Sequence, residues 1–341
     1  MSFGAQSIKQ RDAWQTALLD LITDPAELLR LLELDPALLA EAVRAATLFP
    51  LKVPRGFLAR IEKGNPDDPL LKQILPLGAE AAVTAGYVSD PLQEALVNPA
   101  AGLLHKYHGR VLVTLTSACA VHCRYCFRRE FPYAENNPGR LGWEKIMAYI
   151  VANPSINEVI LSGGDPLAVS DLLLQQFSDR LRDVPQVKRL RIHTRLPVVL
   201  PERITASLIK WLVSLKQIPV VVIHANHPQE INAEVKRALS LMREAGVMLL
   251  NQSVLLAGVN DDVEVLARLS EALFDAGVLP YYLHALDKVQ GAAHFDLPRA
   301  RARKIHKKLL ERLSGYLVPK LVCELPHAGS KTNLSETIRD L

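Results

Sequence analysis

Cysteine is scarce in this chain, with four in 341 residues. That is too few for a disulfide framework, and three of the four fall within eight positions, Cys119 to Cys126. In a reducing compartment such a cluster reads as metal-binding or catalytic. Long apolar runs are also lacking, so no membrane span is expected. The opening stretch MSFGAQSIKQRDAW has no apolar leader segment. The chain therefore reads as soluble, unexported and cytoplasmic. Charge of one sign is lacking too: the formal net charge is +4, with Lys and Arg spread along the chain, so nucleic acid is not an expected partner. What is present is ordinary: 49% hydrophobic and 22% charged residues, with ample material for a core. The length suits one large domain, or one domain with a smaller extension.

Residues 1–100 show no strand alternation, repeat or low-complexity tract. DAWQTALLDLI, PAELLRLLEL and PALLAEAVRAATLF carry Leu and Ala at helical spacing. The steps TDP and LDP between them read as helix starts with proline in the first turn. A Pro- and Asp-rich connector follows, so 1–100 is expected to be a helical extension. From Arg110 the texture changes. The short runs RVLVTLT, EVILSGG, RLRIHT, PVVVIHAN, VMLLNQSVLL, PYYLHAL and KLVCEL alternate with amphipathic helical stretches. Apolar strands separated by crossover helices indicate parallel βα units. About six in series predict an α/β fold built on a partial (β/α)6-type barrel over 101–318, with a C-terminal segment, 319–341, beyond it.

In such barrels chemistry sits at the C-terminal ends of strands. After the first run comes CAVHCRYC, a C-x3-C-x2-C pattern. Short cysteine spacings let one loop bind an iron–sulfur cluster, and three thiolates leave one iron of a four-iron cluster free for a small molecule. A zinc site is the alternative, with His122 or a distant residue as fourth ligand. After the second run comes SGGDP (Ser162, Gly163, Gly164, Asp165 and Pro166). Its glycines permit close backbone approach to a ligand, and Asp165 reads either as an acceptor for an ammonium group or as a helix N-cap. Polar groups also end the other runs: HTR, HANHP with His224, NQS with Gln252, and Asp287. Together they suggest a polar pocket. Lys331 lies in a Gly/Ser loop after the last run, where a lysine acts either as a covalent anchor or as a surface charge. Cys323 reads as a buried apolar residue.

These residues together resemble the radical S-adenosylmethionine (SAM) enzymes. More narrowly, the chain resembles the lysine 2,3-aminomutase family, in the branch that supplies β-lysine for modifying elongation factor P. The resemblance rests on LLHKYHGRVL, CAVHCRYCFRREFPYAEN, SGGDPL, RIHTRLPVVLP, NHPQEI, PYYLHALDKVQGAAHF and SGYLVPKL, and EKGNPDDPLL extends it toward the N-terminus. It implies an isomerase that uses a [4Fe-4S] cluster, SAM and pyridoxal 5′-phosphate (PLP). Cys119, Cys123 and Cys126 match the cluster ligands. The SGGDP segment, His224 and Gln252 match SAM contacts. Lys331 matches the PLP-binding lysine in the C-terminal segment, and Lys106, Tyr107 and Arg110 fall where PLP contacts lie. Arg128 matches the arginine for the substrate α-carboxylate. Asp287 and Glu324 match an acidic pair for the distal ammonium, which favours lysine over glutamate.

The pattern departs from the family at HAGSK before the PLP lysine, at Lys106 where Arg is common and at Glu324 where Asp is common. The tail carries no added cysteine pair, so no zinc is expected there. The implied partners are L-lysine, an electron donor such as flavodoxin or ferredoxin, elongation factor P with its ligase as a functional link, and a further copy of the chain. Two other readings are a radical SAM/PLP enzyme acting on another amino acid and a non-catalytic iron–sulfur binding module.

Overall fold

The computed structural model describes residues 12–136 and 138–335; the leader reading at 1–11 and the last residues of the tail fall outside them. Nine strands form one sheet in sequential order. They are β1 Leu103–Tyr107, β2 Arg110–Thr116, β3 Glu158–Gly163, β4 Arg189–Thr194, β5 Ile218–Ile223, β6 Met248–Leu255, β7 Leu279–Ala285, β8 Lys320–Cys323 and β9 Thr332–Asn333. Strands β2 to β8 run parallel, each beside its successor. All seven apolar runs picked out in the sequence are these strands. The two edge strands were not anticipated, and both are antiparallel. β1 turns into β2 through His108 and Gly109, with Gly109 at φ +74°, a conformation the short hairpin needs and glycine supplies without strain.

Sequential parallel strands with right-handed crossovers place every connecting helix on one face of the sheet. The sheet then curls away from its helices, and its inner face encloses a space. The helices are Gly139–Ala152, Asp171–Arg182, Ala206–Ser214, Ala233–Glu244, Val263–Asp275 and Arg299–Arg312. Several begin where a side chain can accept from the free first-turn amides. Ser170, Thr205, Asn232 and Asp262 do so toward Leu173, Leu208, Val235 and Glu264. Each such cap stabilises its helix by about 1 kcal/mol. No helix among the described residues is long and apolar enough to cross a membrane.

The N-terminal extension is helical over Ala13–Leu19, Pro25–Leu31 and Leu39–Leu48. Asp24 caps the second helix ahead of Pro25, and Asp35 caps a short turn at Pro36, as the Asp-Pro steps predict. The extension has no separate core. Trp14, Ile22, Leu28 and Phe57 are buried in the same cluster as Val113, Leu161 and Ile192 of the sheet. Cys323 is buried among Leu283, Leu309 and Leu321, in the apolar setting expected of it.

Candidate active site

Alternation along the strands divides the sheet into a dry outer face and a wet inner one. On β4, Leu190 and Ile192 are fully buried against helices, while Arg191 and His193 line a cavity of about 560 Å³. On β6, Leu250, Gln252 and Val254 line that cavity, joined by Ser253, and alternate with the buried Leu249, Asn251 and Leu255. A small closed barrel fills its interior with branched apolar side chains. Here polar and charged groups replace many of them, which keeps the interior open.

The cysteine loop closes the cavity at the C-terminal ends of the strands. Cys123 and Cys126 line it, and Cys119 lies within electrostatic reach of both. All three are free thiols of intermediate exposure. Burial, and then the neighbouring Cys123 charge, pushes the Cys126 thiol up to about 11. Burial likewise pushes the Cys119 thiol well up. Among the described residues no three His, Cys, Asp or Glu side chains converge on a single-ion site. Three thiols on one short loop are the donors that a four-iron cluster takes while one iron stays open, so this donor set fits a cluster. The His122 ring stacks on Phe49 at 4.7 Å and its Nδ1 meets the Pro50 carbonyl at 2.7 Å.

The extension holds this loop by backbone and by charge. His122 N donates to Lys52 O and Arg124 N donates to Gln73 O. Arg124 grips Glu80 with Nε and Nη2 at 2.8 and 2.5 Å, and Arg129 Nη2 reaches the same carboxylate at 2.8 Å. The arginines beside the cysteines thus have a structural use, with Glu80 as their shared partner.

The SGGDP glycines pack closely, Gly163 against Thr114 of β2 and Gly164 against the start of the cysteine loop. A Cβ on Gly164 would lie 2.5 Å from Ala118 O, and one on Gly163 2.9 Å from Thr114 Cβ. Gly164 N donates to Thr116 O and Asp165 N to Ala118 O. The Asp165 carboxylate accepts from Thr194 Oγ1, Arg195 N, Leu196 N and Leu167 N, at 2.7 to 3.1 Å. It is an N-cap and a brace for the end of β4, and of the two roles open to it the cap is the one observed. Ser162 lines the cavity, as do His224 and Gln252; the His224 ring meets the Tyr125 hydroxyl at 3.2 Å.

At the other side of the cavity Glu324 collects three partners. It pairs with Lys331 through Oε1, while Oε2 accepts from Tyr107 at 3.1 Å and Lys106 at 3.4 Å. Burial alone would raise the Glu324 carboxyl, but Lys331 and Lys106 outweigh it and hold the group down to about 2. Among the described residues Asp287 has no such hydrogen-bonded partner. Burial, with the nearby Glu324 charge, pushes it up to about 7. The guanidinium of Arg110 lies 4.7 Å from the Tyr107 ring centre.

Arg128 lines the same cavity, but it is not free. Its Nε and Nη2 donate to Glu94 at 2.8 and 2.6 Å, and its Nη1 donates to Ser162 Oγ at 3.1 Å. The sequence reading missed Glu94, which sits in the connector. It also missed Arg191, paired with Glu158 at 2.7 Å, for which the alternating polar residues of RLRIHT were the available signal. His193, which opens the HTR expected in the polar pocket, lines the cavity, and its Nε2 is buried without a partner among the described residues. An amine on Lys331, cations at Lys106, Arg110 and Arg191, and an unpartnered imidazole nitrogen suit an anionic aldehyde cofactor such as PLP.

A parallel barrel with a cysteine-rich loop over the ends of its strands defines a radical SAM protein. Residues 113–270 match the model of the radical SAM superfamily. The chain is 50% identical over 331 residues to an L-lysine 2,3-aminomutase of Escherichia coli K12, covering 96% of each chain. It is 46% identical to that of Haemophilus influenzae, over 96% of this chain and 97% of the relative. It is 41% identical over 278 residues to that of Clostridium subterminale, over 81% of this chain and 66% of the relative. The chain belongs to the lysine 2,3-aminomutase family, and with that family it is a radical SAM isomerase.

Proposed function

We propose that the chain is a PLP-dependent lysine 2,3-aminomutase, moving the α-amino group of L-lysine to the β-carbon to give (R)-β-lysine for the modification of elongation factor P. The observation that carries this reading is that one cavity is lined by Cys123 and Cys126, by Arg128 and Lys331, and by the two carboxylates Asp287 and Glu324, the last of them paired with Lys331. A radical source, an amine anchor, a carboxylate-binding cation and an ammonium-binding anion pair are the needs of lysine, and glutamate has no use for the last. The near-complete coverage of relatives named for this activity supports the same reading.

Cys119, Cys123 and Cys126 would hold the cluster. Ser162, the backbone of the SGGDP segment, His224 and Gln252 would contact SAM, with Asp165 acting through that backbone. Lys331 would anchor PLP, with Lys106, Tyr107 and Arg110 around it. When bound, these groups supply a carbon-centred radical and an electron-delocalising carrier for the migrating nitrogen. The chain's own residues do the rest. Arg128 binds the α-carboxylate and fixes the reacting carbons relative to the cysteine loop. Asp287 and Glu324 neutralise the distal ammonium, and the narrow cavity excludes water from a reactive site.

The test is anaerobic reconstitution with iron, sulfide, PLP, SAM, a reductant and a panel of amino acids. β-Lysine from L-lysine, resolved as the (R) form by chiral chromatography, is the expected product. Turnover of another amino acid in preference to lysine, or none at all with a loaded cluster, overturns the reading. Product supplied to the ligase should appear on elongation factor P.

A further inference from the structure

Resting on the reading of Arg128 given above, we infer that Glu94 is the positioning residue for the substrate carboxylate: it holds Arg128 side-on, so that only the end of the guanidinium faces the reaction cavity. A guanidinium has a side edge, Nε with one terminal nitrogen, and an end edge formed by the two terminal nitrogens. Glu94 occupies the side edge bidentately, and Ser162 Oγ takes one N–H of Nη1. One N–H on each terminal nitrogen is left to donate to a second carboxylate. The Phe127 and Phe131 rings flank the group at 4.8 and 5.8 Å and limit its rotation.

The need for such a hold is visible on the other side. Arg128 and Glu94 also line a second cavity of about 580 Å³, together with Asp90, Glu130 and Glu135. Those acids would attract an untethered Arg128 away from the substrate. Glu94 is itself fixed locally. It opens the turn Glu94–Val97 after Gln93 at φ 52°, and its amide donates to the Asp90 carboxylate at 3.1 Å. The connector from the N-terminal extension thus sets an atom in the reaction cavity.

The experiment compares two ligands on the reconstituted holoenzyme without reductant, so that no turnover occurs. L-Lysine and 1,5-diaminopentane differ by the α-carboxylate, and calorimetry gives both affinities. Glu94→Gln should weaken lysine binding about tenfold or more, the range of one charge-assisted hydrogen bond. Diaminopentane binding should stay within about twofold, which also reports that the variant is folded. Glu94→Asp should restore part of the lysine affinity. Equal weakening of both ligands would make the role merely structural, and unchanged or tighter lysine binding would make Glu94 a spectator or a competitor; either result overturns the inference. Arg128→Ala separates the two readings: if it leaves the ratio of the two affinities unchanged, the assignment of Arg128 fails, whatever Glu94 does.

Discussion

Arg129 donates to the buried Glu80 carboxylate at 2.8 Å, beside the bidentate hold of Arg124 on the same group. One anion of the extension thus pairs with two cations of the cysteine loop, and both guanidiniums lie over the Phe49 ring, at 4.9 and 4.7 Å. Removing one partner of a buried pair leaves uncompensated charge, which costs about 3–5 kcal/mol. Glu80→Ala should lower the denaturation midpoint accordingly and reduce the iron retained per chain. A variant with unchanged midpoint and iron content would show that the clamp is dispensable.

Gly164 tests the seating of the same loop. A methyl group there meets Ala118 O at 2.5 Å, and both partners are backbone, so the cysteine loop must move. Gly164→Ala is expected to lose iron and sulfide on reconstitution while keeping its far-UV circular dichroism. Full cluster loading in that variant would count against the packing argument.

Asp287 carries a pH prediction. Its carboxyl is raised to about 7 by burial and by Glu324, so it is largely neutral below that value and charged above it. A cationic side chain binds the charged form. The KM for lysine should therefore fall as pH rises from about 6 to 8. In Asp287→Asn this dependence should disappear and KM should rise about tenfold or more. A pH-independent KM in the parent enzyme would remove Asp287 from the ammonium site.

The same residue makes a stability prediction of opposite sense. A carboxyl whose folded-state pKa is raised binds more protons folded than unfolded, so stability declines as pH rises from about 4 through 7. Asp287→Asn should be more stable than the parent at pH 8, on the order of 1–2 kcal/mol, while binding lysine less well. Equal midpoints for the two proteins at pH 8 would contradict the burial of an ionised group.

Lys331→Ala removes the partner that, with Lys106, holds Glu324 down to about 2 against its burial. That depressed carboxyl stabilises the fold above its ordinary range, and the contribution is lost as pH falls toward 2. The variant should lose part of this gain at neutral pH and show a flatter acid limb in denaturation. It should also lack the violet absorbance of lysine-bound PLP after incubation with the cofactor. Retention of that chromophore would assign the anchor elsewhere.

Much of the barrel was legible because a parallel strand buried on its outer face must be apolar and short, and a crossover helix must be amphipathic. β1 and β9 were not, since an edge strand has a neighbour on one side only and need not be apolar on both faces, and LLHKY and TN carry no apolar alternation. The cysteines, Lys331 and the motif residues were legible because their chemistry needs particular residue types at short spacing. Glu94 and Glu80 lie 34 and 49 residues from the arginines they pair with, Arg128 and Arg129. No local pattern marks such a partner, because the pairing depends on where the connector crosses the barrel mouth. The sequence by itself determined the order of the strands, the cysteine loop and the chemical inventory of the cavity. Only the tertiary structure decided which charges are spent in pairs and which stay open to a ligand, because a guanidinium or carboxylate acquires its role from the opposite charge that long-range packing brings to it.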